Sequence, residues 1–449
     1  MRALSKMKAQ SYKGVTVRPV IRNLAAVACV GALLTACSSG TPDASSSTDA
    51  SADPNAKVTL TVATFNEFGY EELFKEYMEE NPNVTIEARK AATSNEARDN
   101  MNTRLAAGSG LADIEATEID CLTELMQYPD KFVDLADPEL DGRWLDWKSA
   151  AVTTEDGKVI GYGTDIGPEA ICYRADLFEK AGFPTDREEV ADLLEGDWDT
   201  YFNVGKDFVA KSGGVAWFDS ASATFQRMVN QVENPFENSD GTPIPLSEND
   251  EIKAIYDDIA TAATDDNLSA GLAQWSEDWT NAFQTDKFAT MLCPGWMLGV
   301  IEGNAQGVEG WDIANVFPGG GGNWGGSYLT VPEQGANHEQ AKKLAAWLTA
   351  PEQQIKAFQA KGTFPSQVEA LEDPALLDQT NAFFNDAPTG QILAERAKAV
   401  EVAPFKGPNY FALAQLVTDA LNRLDVEGTD DAAGSWDKAL AAYDALGLS

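Results

Sequence analysis

Hydrophobic and polar positions follow two periods along the chain. Residues 58–65 are a nearly continuous run of Val, Thr, Leu, Ala and Phe, the composition of a buried strand. Leu73, Phe74, Tyr77 and Met78 then fall at helical spacing with acids between them. Asn81-Pro82-Asn83 stops that helix, and residues 84–88 read as a second strand. Strand, helix and strand with short links predict a parallel βαβ unit whose sheet is covered by helices. The pattern continues with a helix over 95–107 ended by Gly108 and a strand at 113–117. Strands at 159–163 and 170–173 precede a helix over 175–181 ended by Gly182, and further strands fall at 288–293 and 313–317. Helices are predicted near 198–211, 251–264, 276–285, 339–349, 351–361, 390–400, 409–424 and 435–446. The fold class is therefore α/β, with no repeat of solenoid period. Open α/β sheets bind ligands beyond the carboxyl ends of their strands. That rule selects the loops at Asn66-Glu67-Phe68, Glu118 to Cys121, Asp165 and Pro294-Gly295-Trp296.

The first 56 residues have a different character. Residues 1–22 carry six bases (Arg2, Lys6, Lys8, Lys13, Arg18, Arg22) and no acid. The uncharged run from Leu24 to Ala36 follows, as in a secretory signal. At about 1.5 Å per residue it spans only ~20 Å, short for a membrane-crossing helix. It stops at Leu34-Thr35-Ala36-Cys37, which resembles the bacterial lipobox. That resemblance implies cleavage after residue 36 and lipidation of Cys37. Residues 37–56 form a Ser/Ala/Asp/Pro tether with nothing to bury, whose reach as a flexible chain is roughly 24 Å.

Composition narrows the function. The 449 residues hold 33 Lys+Arg against 71 Asp+Glu, a formal charge of −38. Such a chain repels polyanions, so nucleic acid is excluded as a partner. Apolar residues at 44% are enough to bury a core. A single histidine, His338, excludes multi-histidine metal sites, and no cofactor or metal is expected. Cys121, Cys172 and Cys293 remain in the folded part; either two of them pair or all three pack as buried thiols.

Four segments carry a family resemblance. They are the opening strand–loop–helix with Asn81-Pro82-Asn83-Val84; Gly163-Thr164-Asp165-Ile166-Gly167-Pro168 with Ala170 to Phe178 and Ala181-Gly182-Phe183-Pro184; Trp275 to Trp296; and Phe317-Pro318 with the glycine run 319–326, Tyr328 to Val331 and Lys361 to Ser366. In their order and spacing they resemble the extracellular solute-binding proteins of ABC importers, in the sugar-binding, maltose-binding-protein-like group. Arg174 and Ala175 stand where that family more often has Asn-Lys. The resemblance implies a periplasmic-binding-protein-like fold of two discontinuous α/β lobes: 57–168 with 328–362, and 169–327 with 363–449. The chain would cross between them near 166–171, 325–330 and 362–366. It also implies a monomer that captures an oligosaccharide, delivers it to a membrane permease and performs no catalysis, anchored by lipid outside the cytoplasmic membrane.

A neutral sugar presents apolar CH faces and a rim of hydroxyls, which suit indole platforms and carboxylate acceptors. Of eleven tryptophans, Trp296 follows a strand end and Trp324 lies inside the glycine run, where few neighbours are expected to cover its ring. Trp275 sits four residues from Trp279, so one of the pair is expected in the core. Tyr410 opens an amphipathic helix. Glu67, Asp120 and Asp165 are the candidate hydroxyl acceptors, with Glu118 in reserve. The glycine run lacks a P-loop ending and reads as flexible backbone near the hinge. The rival functions are a binder of a peptide, polyamine or metal chelate, and a glycoside hydrolase using paired carboxylates.

Overall fold

The computed structural model describes residues 56–448. The predicted signal, Cys37 and nearly all of the tether lie outside the described residues. The strands are β1 (Val58–Phe65), β2 (Val84–Ala91), β3 (Ile114–Glu118), β4 (Gly161–Arg174), β5 (Thr290–Pro294), β6 (Trp311–Ala314), β7 (Asn323–Thr330) and β8 (Phe364–Pro365).

β1 pairs in parallel with β2, from Val58 opposite Val84 to Phe65 opposite Ala91. β3 lies parallel on its other side, with Val62 opposite Ile114. This is the predicted βαβ unit. Its apolar strand residues Leu60, Val62 and Phe65 are buried, and the helix Glu71–Glu80 adds Leu73 and Tyr77 to the same core. Asn81 ends that helix with its N–H on the Tyr77 carbonyl. The next helix, Ser94–Ala107, starts on a Thr93 side-chain cap. It stops at Gly108, whose φ of 69° suits glycine.

β4 corrects the sequence reading. The two strands predicted at 159–163 and 170–173 are one strand of 14 residues. The polar and glycine-rich stretch between them interrupts the apolar pattern, so it reads as a loop. Here neighbouring strands supply its hydrogen bonds instead. β4 pairs with β7 from Gly161 to Pro168, with register shifts on either side of Ile166. β8 pairs with Asp165 and Ile166. Asp165, expected in a loop, is therefore inside a strand. From Glu169 onward β4 pairs with β5 instead, and from Ile171 to Arg174 with β6 as well. One strand thus runs through two groups of strands, with separate apolar clusters around Leu60, Val62 and Leu329 and around Ile171, Trp217 and Leu413.

β7 starts at Asn323, so the end of the glycine run is strand rather than flexible backbone. β6 begins two residues earlier than predicted. The helices Arg187–Leu194, Ala221–Val229 and Met297–Asn304 were not expected. In Ala221–Val229 most positions are buried, so no polar face marks it. Met297–Asn304 contains Gly299 and Gly303, which lower helix propensity. Cys172 and Cys293 form a disulfide between β4 and β5, while Cys121 is free and buried. The open question of pairing is thereby answered.

Candidate functional site

The end of β5 and the start of β7 meet at two tryptophans. Gly295 and Trp296 turn the chain out of β5 into the helix Met297–Asn304. The indole N–H of Trp296 donates to the Trp324 carbonyl at 2.9 Å, and the two rings meet edge to face at 4.7 Å. Trp275 stacks on Trp296 at 6.0 Å and 20°. All three candidate tryptophans therefore form one wall beside the crossing strands. Trp275 is 56% exposed and has a φ of 71°, a left-handed backbone that bulky residues rarely adopt. Its surroundings hold it there. Gln274 Nε2 and Trp279 Nε1 both donate to Asp219 Oδ2, at 2.8 and 2.7 Å. Trp279 is the core member of its pair, 1% exposed. Trp324 differs from expectation. Its ring is not short of neighbours, because the Arg227 guanidinium lies 3.7 Å over it.

A cavity of about 450 Å³ adjoins this wall. Asn323 and Gly325, which flank Trp324, line it together with Trp147, Asn234, Phe405 and Lys406. A Cβ placed on Gly325 would stand 3.4 Å from Trp296 Nε1, so the tryptophan wall and the cavity meet at β7. None of the seven predicted residues lines the cavity itself. Trp147, which was not among the candidates, does, and its buried indole N–H has no hydrogen-bond partner.

Lys406 is the main residue that sequence reasoning missed. It forms an ion pair with Asp120, which follows β3 far away in the chain. Burial works to lower the Lys406 ammonium, but the facing Asp120 carboxylate and its neighbours outweigh it and raise it. Glu118 is pushed well above the usual carboxylate range, by burial first and then by Asp120. Tyr410 is buried rather than exposed to ligand. It packs edge-on against Phe236 and Phe411 and carries the Lys406 ammonium 5.2 Å from its ring. Arg98 lies over Phe411 at 5.2 Å, a second contact between the two chain regions. The signal for Lys406 was the turn Lys406-Gly407-Pro408 just ahead of the Tyr410 helix, within reach of a residue already singled out.

Asp165 and Glu67 are engaged by other groups of the protein. Asp165 accepts from Thr164 Oγ1 at 2.7 Å, and its carbonyl accepts from Lys148 Nζ at 2.8 Å. Lys148 is fully buried, 3.8 Å over the Tyr328 ring, and burial lowers its ammonium to about 7. Glu67 is exposed and bridges Lys90 and Lys361, which lower its carboxyl. Among the described residues no cluster of His, Cys, Asp or Glu could hold a metal, and no helix is long and apolar enough to cross a membrane.

A crossing strand shared by two strand groups, with a cleft beside it, defines a class of ligand receptors. Residues 72–385 match the bacterial extracellular solute-binding protein family, and the chain belongs to that family. A crystal structure of an extracellular solute-binding protein family 1 member is 53% identical, with a TM-score of 0.82 over 86% of this chain and 99% of that one. The fold is the two-lobed solute-binding fold. The arabinooligosaccharide-binding protein of Bacillus subtilis (strain 168) is 25% identical over 326 residues, 68% of this chain and 72% of that protein. The lactose-binding protein of Rhizobium radiobacter is 25% identical over 269 residues, 59% of each chain.

Proposed function

We propose that the protein captures a neutral carbohydrate, an oligosaccharide of a few units, in the cleft between its lobes, and passes it to a membrane permease. The observation that carries this reading is the wall of Trp275, Trp296 and Trp324 standing beside a cavity with amide and charged edges. Indole faces match the CH faces of sugar rings. The names of the two curated relatives, one binding an arabinooligosaccharide and one lactose, support the same class. Asp120 and Lys406 neutralise each other at the cavity edge, which suits an uncharged guest. Trp147 adds an indole to the cavity lining. Asp165 and Glu67 contribute less directly, and Tyr410 acts by supporting Lys406.

The lobes are 57–168 with 328–362 and 169–327 with 363–449. The change of β4 partners between Pro168 and Glu169 supports that division. The protein works as a lipid-anchored monomer outside the cytoplasmic membrane, attached through Cys37, and makes or breaks no bond in its ligand. Metabolic labelling with a fatty acid tests the anchor: label should enter the wild type and be lost in Cys37→Ala. A thermal-shift screen with arabinotriose, lactose and maltotriose tests the ligand class, because a ligand that binds only the folded state raises its melting temperature. At least one neutral sugar should do so without release of reducing ends. A shift from peptides or polyamines alone would overturn the reading.

A further inference from the structure

The tryptophan wall rests on a buried pair of charges. Arg227, on the helix Ala221–Val229, is 1% exposed, and Glu169, on β4, is 0% exposed. Arg227 Nε stands 3.3 Å from Glu169 Oε1. The guanidinium makes one hydrogen bond, from Nη1 to the Ala223 carbonyl at 3.0 Å. Its Nε and Nη2, and both Glu169 oxygens, have no hydrogen-bond partner. Burying two charges so incompletely satisfied costs stability, and an apolar pair would fill the same space more cheaply. What the charge does make is the 3.7 Å stack on Trp324, a cation–π contact.

We propose that Arg227, paired with Glu169 on the crossing strand, is a positioning residue that fixes the Trp324 ring for ligand stacking. This rests on the carbohydrate-site reading above. Trp296 meets one edge of the ring at 4.7 Å, while the backbone around it is glycine-rich, with Gly325 following at a φ of 89°, so Arg227 is the charged group that sets its face. Glu169 sits where β4 changes partners, so the same carboxylate joins the wall to the crossing point. Burial raises the Glu169 carboxyl to about 7, against the opposing pull of Arg227 and Lys406. Asp219, just ahead of the Arg227 helix and held by Gln274 and Trp279, adds a further negative charge acting on the guanidinium. The Glu169 proton is therefore expected to report on the charge beneath Trp324.

The test uses the folded chain labelled with 5-fluorotryptophan, the Trp324 fluorine signal being assigned by its loss in Trp324→Phe. In wild type that signal should move across neutral pH, and Glu169→Gln should abolish the movement. The Arg227→Met/Glu169→Gln double variant removes both charges together and so avoids an orphaned one. It should displace the signal, leave it insensitive to pH and weaken binding of arabinotriose, lactose or maltotriose about fivefold. Arg227→Lys should restore part of the displacement. A Trp324 signal that stays in place in the double variant overturns the positioning role whatever the protein binds. A signal that behaves as expected while no sugar binds counts against the carbohydrate site and leaves the charge coupling standing.

Discussion

At the residue scale, three tryptophans scattered from position 275 to 324 could be chosen from sequence: Trp296 and Trp324 because each sits beside a glycine, and Trp275 because it pairs at helical spacing with Trp279, of which one was expected in the core. The carboxylates could not be chosen as well. In a chain with 71 acids the sequence does not say which have a cation opposite them, and Asp120, Glu67 and Asp165 each turn out to be tied to the protein's own lysines or threonine. Removal of an indole platform should weaken ligand binding. Trp296→Ala is expected to cost about tenfold or more in affinity, roughly 1.4 kcal/mol, measured by titration calorimetry. Lys148 makes a stability prediction. Its folded pKa of about 7 lies below its ordinary 10.5. The unfolded chain then binds the extra proton between those values, so folding stability rises as pH climbs through that interval. Denaturant melts of Lys148→Met should lack this part of the rise; parallel pH profiles in the two proteins would contradict it.

At the element scale, the strand–helix–strand start and most of the helices were legible, because half-buried helices and buried strands impose different periods. The crossing strand was not. Thr164 to Pro168 has the composition of a loop, and only the approach of β7 and β8 makes it strand. Gly167 shows how close that approach is. A Cβ there would lie 1.9 Å from the Trp324 carbonyl oxygen. Gly167→Ala should therefore destabilise the protein by about 1–3 kcal/mol in denaturant unfolding and reduce ligand affinity with it. The disulfide between β4 and β5 spans a sequence separation of 121 residues. In the chain-entropy account a loop of that size stabilises by up to about 4–5 kcal/mol. Replacing Cys172 and Cys293 together by Ala should lower the melting temperature clearly, and an unchanged value would contradict a structural role.

At the scale of the whole molecule, the two-lobed fold follows from one strand serving two groups of strands, with β7 and β8 returning beside it. The contacts that join the distant chain regions, Lys406 with Asp120 and Arg98 with Phe411, were invisible in the sequence because only the fold brings those regions together. They should hold the cleft shut. Lys406→Met leaves Asp120 facing Glu118 without its cation, and small-angle scattering should then report a larger radius of gyration. The central claim, a sugar gripped between lobes on an indole wall, is tested most directly by the crystal structure of the protein with the sugar that gives the largest thermal shift. The account predicts a pyranose or furanose ring lying flat against Trp296 or Trp324, with hydroxyls toward Trp147 and Lys406. A ligand seated away from β7, or one held without any tryptophan contact, would contradict it.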